Sequence, residues 1–205
     1  MNLQEKFTDL CLPFSKDQKL INGFWKEIET KYTEKGRYYH DLFHLENMFL
    51  ELENVKNKIT DFNSVSFSVF YHDIIYDATS KSNEEKSALY AADRLHKLNS
   101  DEDLISKINT QILATKSHQK SEDTDTDYLL DADLSILGKD LPVYLEYTRK
   151  IRKEYAIYPD LLYKPGRKKV LRHFLELDTI FKTEDFRNKY ELKARENMTT
   201  ELQLM

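Results

Sequence analysis

The chain has 205 residues, of which 40% are hydrophobic, and its net charge at pH 7 is −5. This length suits a single domain, residues 1–205, with a substantial buried core. The negative charge argues against bulk nucleic-acid binding, which depends on releasing counterions from phosphates. Only four glycines and four prolines occur, and this scarcity predicts an all-α protein.

The cellular compartment is predicted from what the chain contains. Cys11 is the only cysteine and cannot form an internal disulfide, which suits a reducing cytosol. No apolar run approaches the roughly 20 residues needed to span a bilayer, and the first ten residues are too polar for a signal peptide. We therefore expect a soluble cytoplasmic protein with no membrane partner.

The first half of the chain shows regular helical periodicity. After an extension over residues 1–15, a capping-box pattern at Ser15 predicts a helix over about 16–34, which Gly36 ends. A second helix is expected to begin with residues 37–39, and a third to be capped by Asp61 or Asn63. A second capping box, at residues 82–85, opens the fourth helix.

The second half is also predicted to be helical, and it contains one basic segment in an otherwise acidic chain. We expect helices over about 100–118, 129–137, 141–158, from residue 167 onward, and 183–202, the last packing on the bundle. The acidic stretch 119–127 is predicted to be a mobile loop, and residues 164–166 a turn. Residues 149–172 hold nine Lys or Arg against two acids, a local charge of +7, which leaves −12 for the remainder.

A histidine and an aspartate side by side in an apolar run are the strongest chemical signal. His72 and Asp73 stand side by side within an otherwise apolar run, where an ionised carboxylate costs several kcal/mol unless a partner or a metal compensates it. Upstream, helical spacing would place Arg37, His40 and His44 on one face. Downstream, carboxylates again interrupt apolar sequence at residues 131 and 133.

These segments, taken together, resemble a known family. One histidine, then His-Asp, then an aspartate is the order of metal ligands in the HD superfamily of metal-dependent phosphohydrolases. The chain is similar in particular to a small family of predicted metal-dependent HD phosphohydrolases, over roughly residues 20–200. The segments that carry the resemblance are RYYHDLFHLENM, FYHDIIYD, SNEEKSA, LLDADLSILG and GRKKVLRHFLEL.

The resemblance implies an HD-type bundle of about eight to nine helices with one or two divalent ions, drawn from Mn, Fe, Co, Ni and Mg. The metal ligands it implies are His44, His72, Asp73 and Asp133, with Asp131 in an outer position. Asp93 lies only 20 residues after Asp73 and fits the closing position less well than Asp133.

Further residues are assigned to catalysis and substrate binding. Glu84 is a candidate general base, although carboxylates in a first helical turn also simply favour the helix dipole. His118 is either a partner of the helix C-terminus or a cleft histidine that ligates a second ion or donates a proton. The residues expected to contact the substrate are Arg37, His40, Arg152 and Arg167; the cations at 167–169 would oppose their own helix dipole unless an anion bound there.

The function that follows is hydrolysis of a phosphoester or phosphoanhydride of a small metabolite, most plausibly a nucleotide, by hydroxide that a metal generates from water. Asp73 would ligate the ion and accept a proton. Two alternatives stay open: an HD-type diiron oxygenase, and a non-catalytic helical sensor that binds a nucleotide on the basic segment. A homodimer is also an open alternative.

Overall fold

The computed structural model describes residues 2–205, and over that range it contains helices and no strand, which confirms the all-α prediction. Ten α-helices follow one another, with 3-10 turns at Lys56–Lys58 and Ser135–Gly138. The α-helices are α1 Leu3–Cys11, α2 Gln18–Tyr32, α3 Leu42–Asn54, α4 Phe62–Tyr71, α5 Asn83–Lys97, α6 Glu102–Ala114, α7 Thr124–Leu134, α8 Leu141–Glu154, α9 Asp160–Glu176 and α10 Glu184–Leu204.

Helix α4 is the centre of the bundle. Every residue from Ser64 to Tyr71 is buried, and the helix contacts α1, α3, α5, α6 and α7. Its serines are tolerated in the core because each hydroxyl has a partner; that of Ser68, for example, donates to the buried Gln111 side chain 2.7 Å away. The end of this helix, with His72 and Asp73 following it, is therefore held from several sides.

The amino-terminal extension proves to be part of the core. The sequence predicts only an extension over residues 1–15, and within it α1 buries Leu3, Phe7, Leu10 and Cys11 on one face. The Phe7 ring packs edge-on against Phe70 of α4, with ring centroids 5.1 Å apart. Burying four apolar side chains stabilises this short helix, which would be marginal in isolation.

Two predicted boundaries are wrong in ways that affect the site. Residues 37–41 are not helical, because Asp41 is the N-cap of α3 and its side chain accepts a hydrogen bond from the His44 amide. Arg37 and His40 therefore do not share a helical face with His44. The predicted mobile loop is also shorter than expected, since α7 begins at Thr124 with buried residues in its first turn.

Helix α9 contradicts the predicted turn at residues 164–166. The helix runs unbroken from Asp160 to Glu176 with Pro165 inside it. A proline there removes one backbone hydrogen bond, a loss that falls in the exposed early part of the helix. Arg167 consequently lies in the helix interior and not at an N-terminus with free amides, so the argument for an anion at that position fails.

Helix α10 is fastened to the rest of the bundle at two points. The carboxylate of Asp131 accepts hydrogen bonds from the Lys182 amide and from the amide and hydroxyl of Thr183, the N-cap of α10. Farther along, Gly138 lies so close that an added Cβ would be 2.5 Å from the Cβ of Tyr190. This glycine is needed for the close approach of α10, whereas the sequence predicted only that it stops a helix.

Candidate metal centre

Three separate helices bring the candidate metal ligands together. His44 stands in the first turn of α3, His72 directly follows the last residue of α4, and Asp133 lies one residue before the end of α7. Helices α3, α4 and α7 contact one another in all three pairings. The ligand atoms therefore come together because these three helices pack against one another in the core.

The group is compact. The Nε2 atom of His44 lies 3.2 Å from Nε2 of His72 and 3.2 Å from Oδ1 of Asp133, and His72 Nε2 is 3.9 Å from the same oxygen. The three ligand atoms all lie within 4.8 Å of one another. These residues form a group that could hold a metal ion.

The separations can be tested against metal geometry. Two atoms that each lie about 2.1 Å from one ion are about 3.0 Å apart at a right angle and about 3.4 Å apart at the tetrahedral angle. Both 3.2 Å separations fall between these values. Two nitrogen donors and a carboxylate oxygen also suit a first-row transition metal, so the residues fit the ion that the sequence implied.

The tautomer of His72 is set by the backbone. Its Nδ1 lies 3.0 Å from the carbonyl oxygen of Val69, one turn earlier in α4. A carbonyl can only accept, so Nδ1 carries a proton and donates it, and the lone pair of the neutral ring is on Nε2, facing His44 and Asp133. A backbone acceptor behind the ring is the usual way in which a ligating histidine is oriented.

Burial and neighbouring charges have opposite effects on the pKa values of His72 and Asp133. Burial alone would lower the pKa of His72, but the Asp73 and Asp133 carboxylates outweigh it and raise that pKa to about 9. Burial would raise the pKa of Asp133, but hydrogen bonds to His118 and His44 hold it well below its usual range. In the absence of a cation, the site therefore keeps its carboxylates ionised and attracts protons or other positive charge.

Asp73 lies beside the compact group and not within it. Its Oδ2 atom is 3.2 Å from Nε2 of His72 and 3.9 Å from Nε2 of His40, while the compact group contains only three of the four expected ligands. Its carboxylate is 16% exposed. Asp73 thus stands between the histidines and the solvent of the cleft.

His118 contacts the other side of Asp133. Its Nε2 lies 2.9 Å from Oδ2 of that carboxylate, whereas Oδ1 faces His44. The backbone of His118 has a φ of +50°, an uncommon conformation for a residue with a side chain. Of the two sequence alternatives for His118, the structure favours the cleft histidine.

The alternative aspartates have other partners. Asp131, expected in an outer position around the metal, is bonded to residues 182 and 183 at the start of α10. Asp93 makes an ion pair with Lys97 at 2.6 Å and its side chain is 49% exposed. Positions two apart in a helix project about 200° from one another. Asp133 of α7 therefore faces the two histidines, while Asp131 faces away from them.

Sequence reasoning missed Glu154, which lies directly behind the site. Its side chain is fully buried at the end of α8. One carboxylate oxygen accepts the backbone amides of Tyr38, Tyr39 and His40, at 2.7–3.0 Å. Converging amides of this kind make a binding site for an anion, and here the chain fills it with its own glutamate.

The second oxygen of Glu154 orients His40. It accepts from Nδ1 of His40 at 2.7 Å and from the hydroxyl of Tyr76 at 3.0 Å. Burial raises the pKa of Glu154, but the hydrogen bond and charge of His40 outweigh it and lower that pKa to about 2. Because Nδ1 is engaged, His40 presents Nε2 toward Asp73 and the cleft.

Arg37 is engaged with the backbone and not with the cleft. Its guanidinium donates to the carbonyl oxygens of His40, Asp73 and Ile74, at 2.7–3.2 Å. This differs from the substrate contact expected from the sequence. The arginine instead ties the residues before α3 to the turn after α4, and so fixes His40 relative to Asp73.

The two other predicted substrate arginines also have protein partners. Arg152 pairs with Asp160 at 2.7 Å and donates to the carbonyls of Tyr155 and Tyr158. Arg167 is 9% exposed and forms a two-pronged ion pair with Glu201 at 2.8 and 3.0 Å. Arg167 borders the cleft, but its charge is already neutralised, so the expectation that these arginines bind phosphate is not supported.

A large cleft of about 1160 Å³ opens over the group. His72, Asp73 and Asp133 lie in its wall, as do His40, Glu84 and His118. Helix α9 contributes the exposed Lys169 to the same wall. The cleft therefore combines residues that could hold a metal ion, several groups that can exchange protons, and Lys169, which forms no ion pair with a described carboxylate.

No protein-family profile, curated protein or solved structure matches this chain. Among residues 2–205, none of the helices combines the length and the apolar composition that a bilayer-spanning segment requires.

Proposed function

We propose that this protein is an HD-type metal-dependent phosphohydrolase that cleaves a phosphoester or phosphoanhydride of a small metabolite, most plausibly a nucleotide. The observation that carries the proposal is the group formed by His44, His72 and Asp133, of which His72 and Asp133 line a solvent-accessible cleft. These three residues would hold one divalent ion, with Asp73 beside it. Such an ion would lower the pKa of a bound water and polarise a phosphoryl oxygen.

Hydrolysis also needs groups that accept and donate protons. The carboxylate of Asp73, held ionised by the neighbouring histidines, would accept a proton from the attacking water, and Glu84 is the alternative base in the same wall. His118 or His40 would supply a proton to the leaving oxygen. Lys169 would attract the substrate phosphate, a role that the sequence assigned to arginines now found in ion pairs.

The decisive measurement is metal content together with phosphate release. Protein refolded with Mn²⁺ or Ni²⁺ and desalted should retain about one ion per chain, and His72→Ala should retain almost none. His96→Ala is the matched control, because His96 is 53% exposed and pairs with Glu102 on the surface. Equal metal content in the wild type and His72→Ala would remove the basis of the proposal.

Catalysis is then tested on a panel of nucleotides and general phosphatase substrates. Wild type and His96→Ala should release phosphate in a metal-dependent manner, and Asp73→Ala should not. Phosphate release equal in wild type and Asp73→Ala would point to a contaminant and reject hydrolysis at this site.

A dinuclear oxygenase is the second candidate, and one observation favours it. Asp133 presents one oxygen to His44 and the other to His118, which is the arrangement of a carboxylate that bridges two ions. Two irons per chain with substrate-dependent oxygen uptake, and loss of one iron in His118→Ala, would support this candidate over the hydrolase.

A further inference from the structure

The turn between α8 and α9, together with the first turn of α9, exposes aliphatic side chains to an unusual degree. Ile157 is 71% exposed, Leu161 84% and Leu162 61%. We call these three residues the apolar tip. Burial of such side chains is worth enough free energy that exposed clusters commonly mark a contact surface.

The segment that carries the apolar tip also carries cations that lack carboxylate partners. We call the exposed Lys153, Lys164, Lys169 and Arg172 the cationic rim. Of the nine Lys or Arg in residues 149–172, Arg149, Arg152 and Arg167 pair with carboxylates. No described carboxylate pairs with the other six, and Lys153, Lys164, Lys169 and Arg172 are exposed. The one acid beside the tip, Asp160, is already bound by Arg152. The surface around the tip is therefore positive, while the rest of the chain carries −12.

Other exposed leucines lie in a different electrostatic setting. Leu89 is 72% exposed and stands one turn from Glu85 and Asp93. Leu192 is 74% exposed, and the cations near it, Lys189, Lys193 and Arg195, pair with Glu51, Asp140 and Glu191. The apolar tip differs because several cations near it in the chain have no described carboxylate partner.

We propose that the apolar tip and its cationic rim dock the protein on an anionic lipid surface. Aliphatic side chains would enter the boundary between headgroups and acyl chains while the lysines contact the headgroups, as peripheral helices do. A second copy of this chain is a poorer occupant, because two-fold pairing would bring the cationic rims against each other. Nucleic acid without base pairing binds by stacking on aromatic rings, and the tyrosines beside the tip, Tyr155, Tyr158 and Tyr163, are half-buried and pack on one another.

Docking in this way also orients the cleft. The tip residue Leu162 lines the cleft, as does Tyr158, which follows Ile157 in the chain. The acidic remainder of the molecule would face away from the anionic surface. The mouth of the cleft would therefore lie beside the lipid, and this consequence holds whether or not the protein is a hydrolase.

Vesicle sedimentation tests the proposal. Wild type should sediment with phosphatidylcholine vesicles that contain about one third phosphatidylserine, but not with phosphatidylcholine alone, and added salt should weaken the binding. Ile157→Ser/Leu161→Ser should bind at least about tenfold more weakly. Lys164→Gln/Arg172→Gln should lose about 30-fold, from the attraction that two cations contribute near such a surface. Leu89→Ser/Leu192→Ser is the matched control and should bind as wild type does.

Site-specific fluorescence provides a second readout that does not require loss of binding. Because Cys11 is buried, Ile157→Cys can be labelled selectively with an environment-sensitive dye, which should shift to the blue on anionic vesicles. The same dye on Leu89→Cys should not shift. Circular dichroism confirms that each variant is folded.

Several outcomes would overturn the proposal. The proposal fails if the wild type does not sediment with anionic vesicles, or if Ile157→Ser/Leu161→Ser binds them as well as the wild type does. It also fails if Leu89→Ser/Leu192→Ser loses as much binding as the tip variant. A dimer that dissociates only in Ile157→Ser/Leu161→Ser would assign the tip to self-association. A mobility shift with a single-stranded RNA, without vesicle binding, would assign the cationic rim to nucleic acid.

Discussion

Replacement of Glu154 by glutamine should destabilise the protein strongly although it changes a single atom. The native carboxylate accepts five hydrogen bonds, three from consecutive amides, one from His40 and one from Tyr76. In Glu154→Gln an amide nitrogen would face the Nδ1 proton of His40 and the hydroxyl of Tyr76. The amide group would donate where the native carboxylate accepts, so the hydrogen bond from His40 to a charged acceptor would be lost.

The magnitude follows from the shift in acidity. The pKa of Glu154 falls from 4.5 to about 2, and about 2.5 units at about 1.4 kcal/mol each give about 3 kcal/mol. Against the effect of burial, Asp73 and then Glu154 raise the pKa of His40. The part that comes from Glu154 is the same interaction seen from the other partner, so it is not added. Glu154→Gln should therefore lower the free energy of unfolding near pH 6 by about 3 kcal/mol, measured by urea denaturation.

The pH dependence distinguishes this charge from ordinary packing. Because the pKa is lower in the folded state, the stabilisation is present above pH 4.5 and is lost as the pH falls toward 2. The pKa of His40 is raised above 6.5 in the folded state, so its share is present below pH 6.5 and is lost as the pH rises through the folded value. The difference between wild type and Glu154→Gln should accordingly be largest between pH 4.5 and 6.5.

A neighbouring glutamate provides the control. Glu146 lies on the same helix, is 51% exposed and pairs with Arg149 on the surface, so Glu146→Gln should change stability by less than about 0.5 kcal/mol. An equally small change in Glu154→Gln, or a difference that does not shrink below pH 4.5, would refute the interpretation of Glu154 as a buried, ionised anchor.

Three further changes test other contacts. Gly138→Ala should lower the free energy of unfolding by about 1–3 kcal/mol, because its Cβ would overlap Tyr190 and move α10; unchanged thermal unfolding would contradict that close approach. Arg167→Met should cost about 3–5 kcal/mol by leaving Glu201 buried without its partner, whereas loss of phosphate affinity with unchanged stability would restore the substrate role. Cys11, whose pKa burial raises to about 12, should not react with a thiol reagent at pH 8 until guanidinium unfolds the chain.

The sequence by itself determined the helical class and nominated the metal group. Apolar residues at helical spacing and the scarcity of Gly and Pro favour helices through local backbone geometry. Tertiary contacts seldom override that preference in long helices. His72 and Asp133 interrupt apolar runs, so burial was expected and a partner was required, whereas His44 was nominated by the family resemblance. Their separations could not be predicted, because they depend on how α3, α4 and α7 pack.

Tertiary structure alone decided which charged residues are available to a substrate. Arg152, Arg167 and Glu154 stand in a segment rich in lysine and arginine, where a sequence predicts solvated charge. The fold instead pairs Arg167 with the distant Glu201 and Glu154 with the amides of residues 38–40, while Arg152 is held by Asp160 and by carbonyls of the turn after α8. Whether a charge faces water or a partner depends on contacts between residues far apart in sequence, and local pattern carries no record of those contacts.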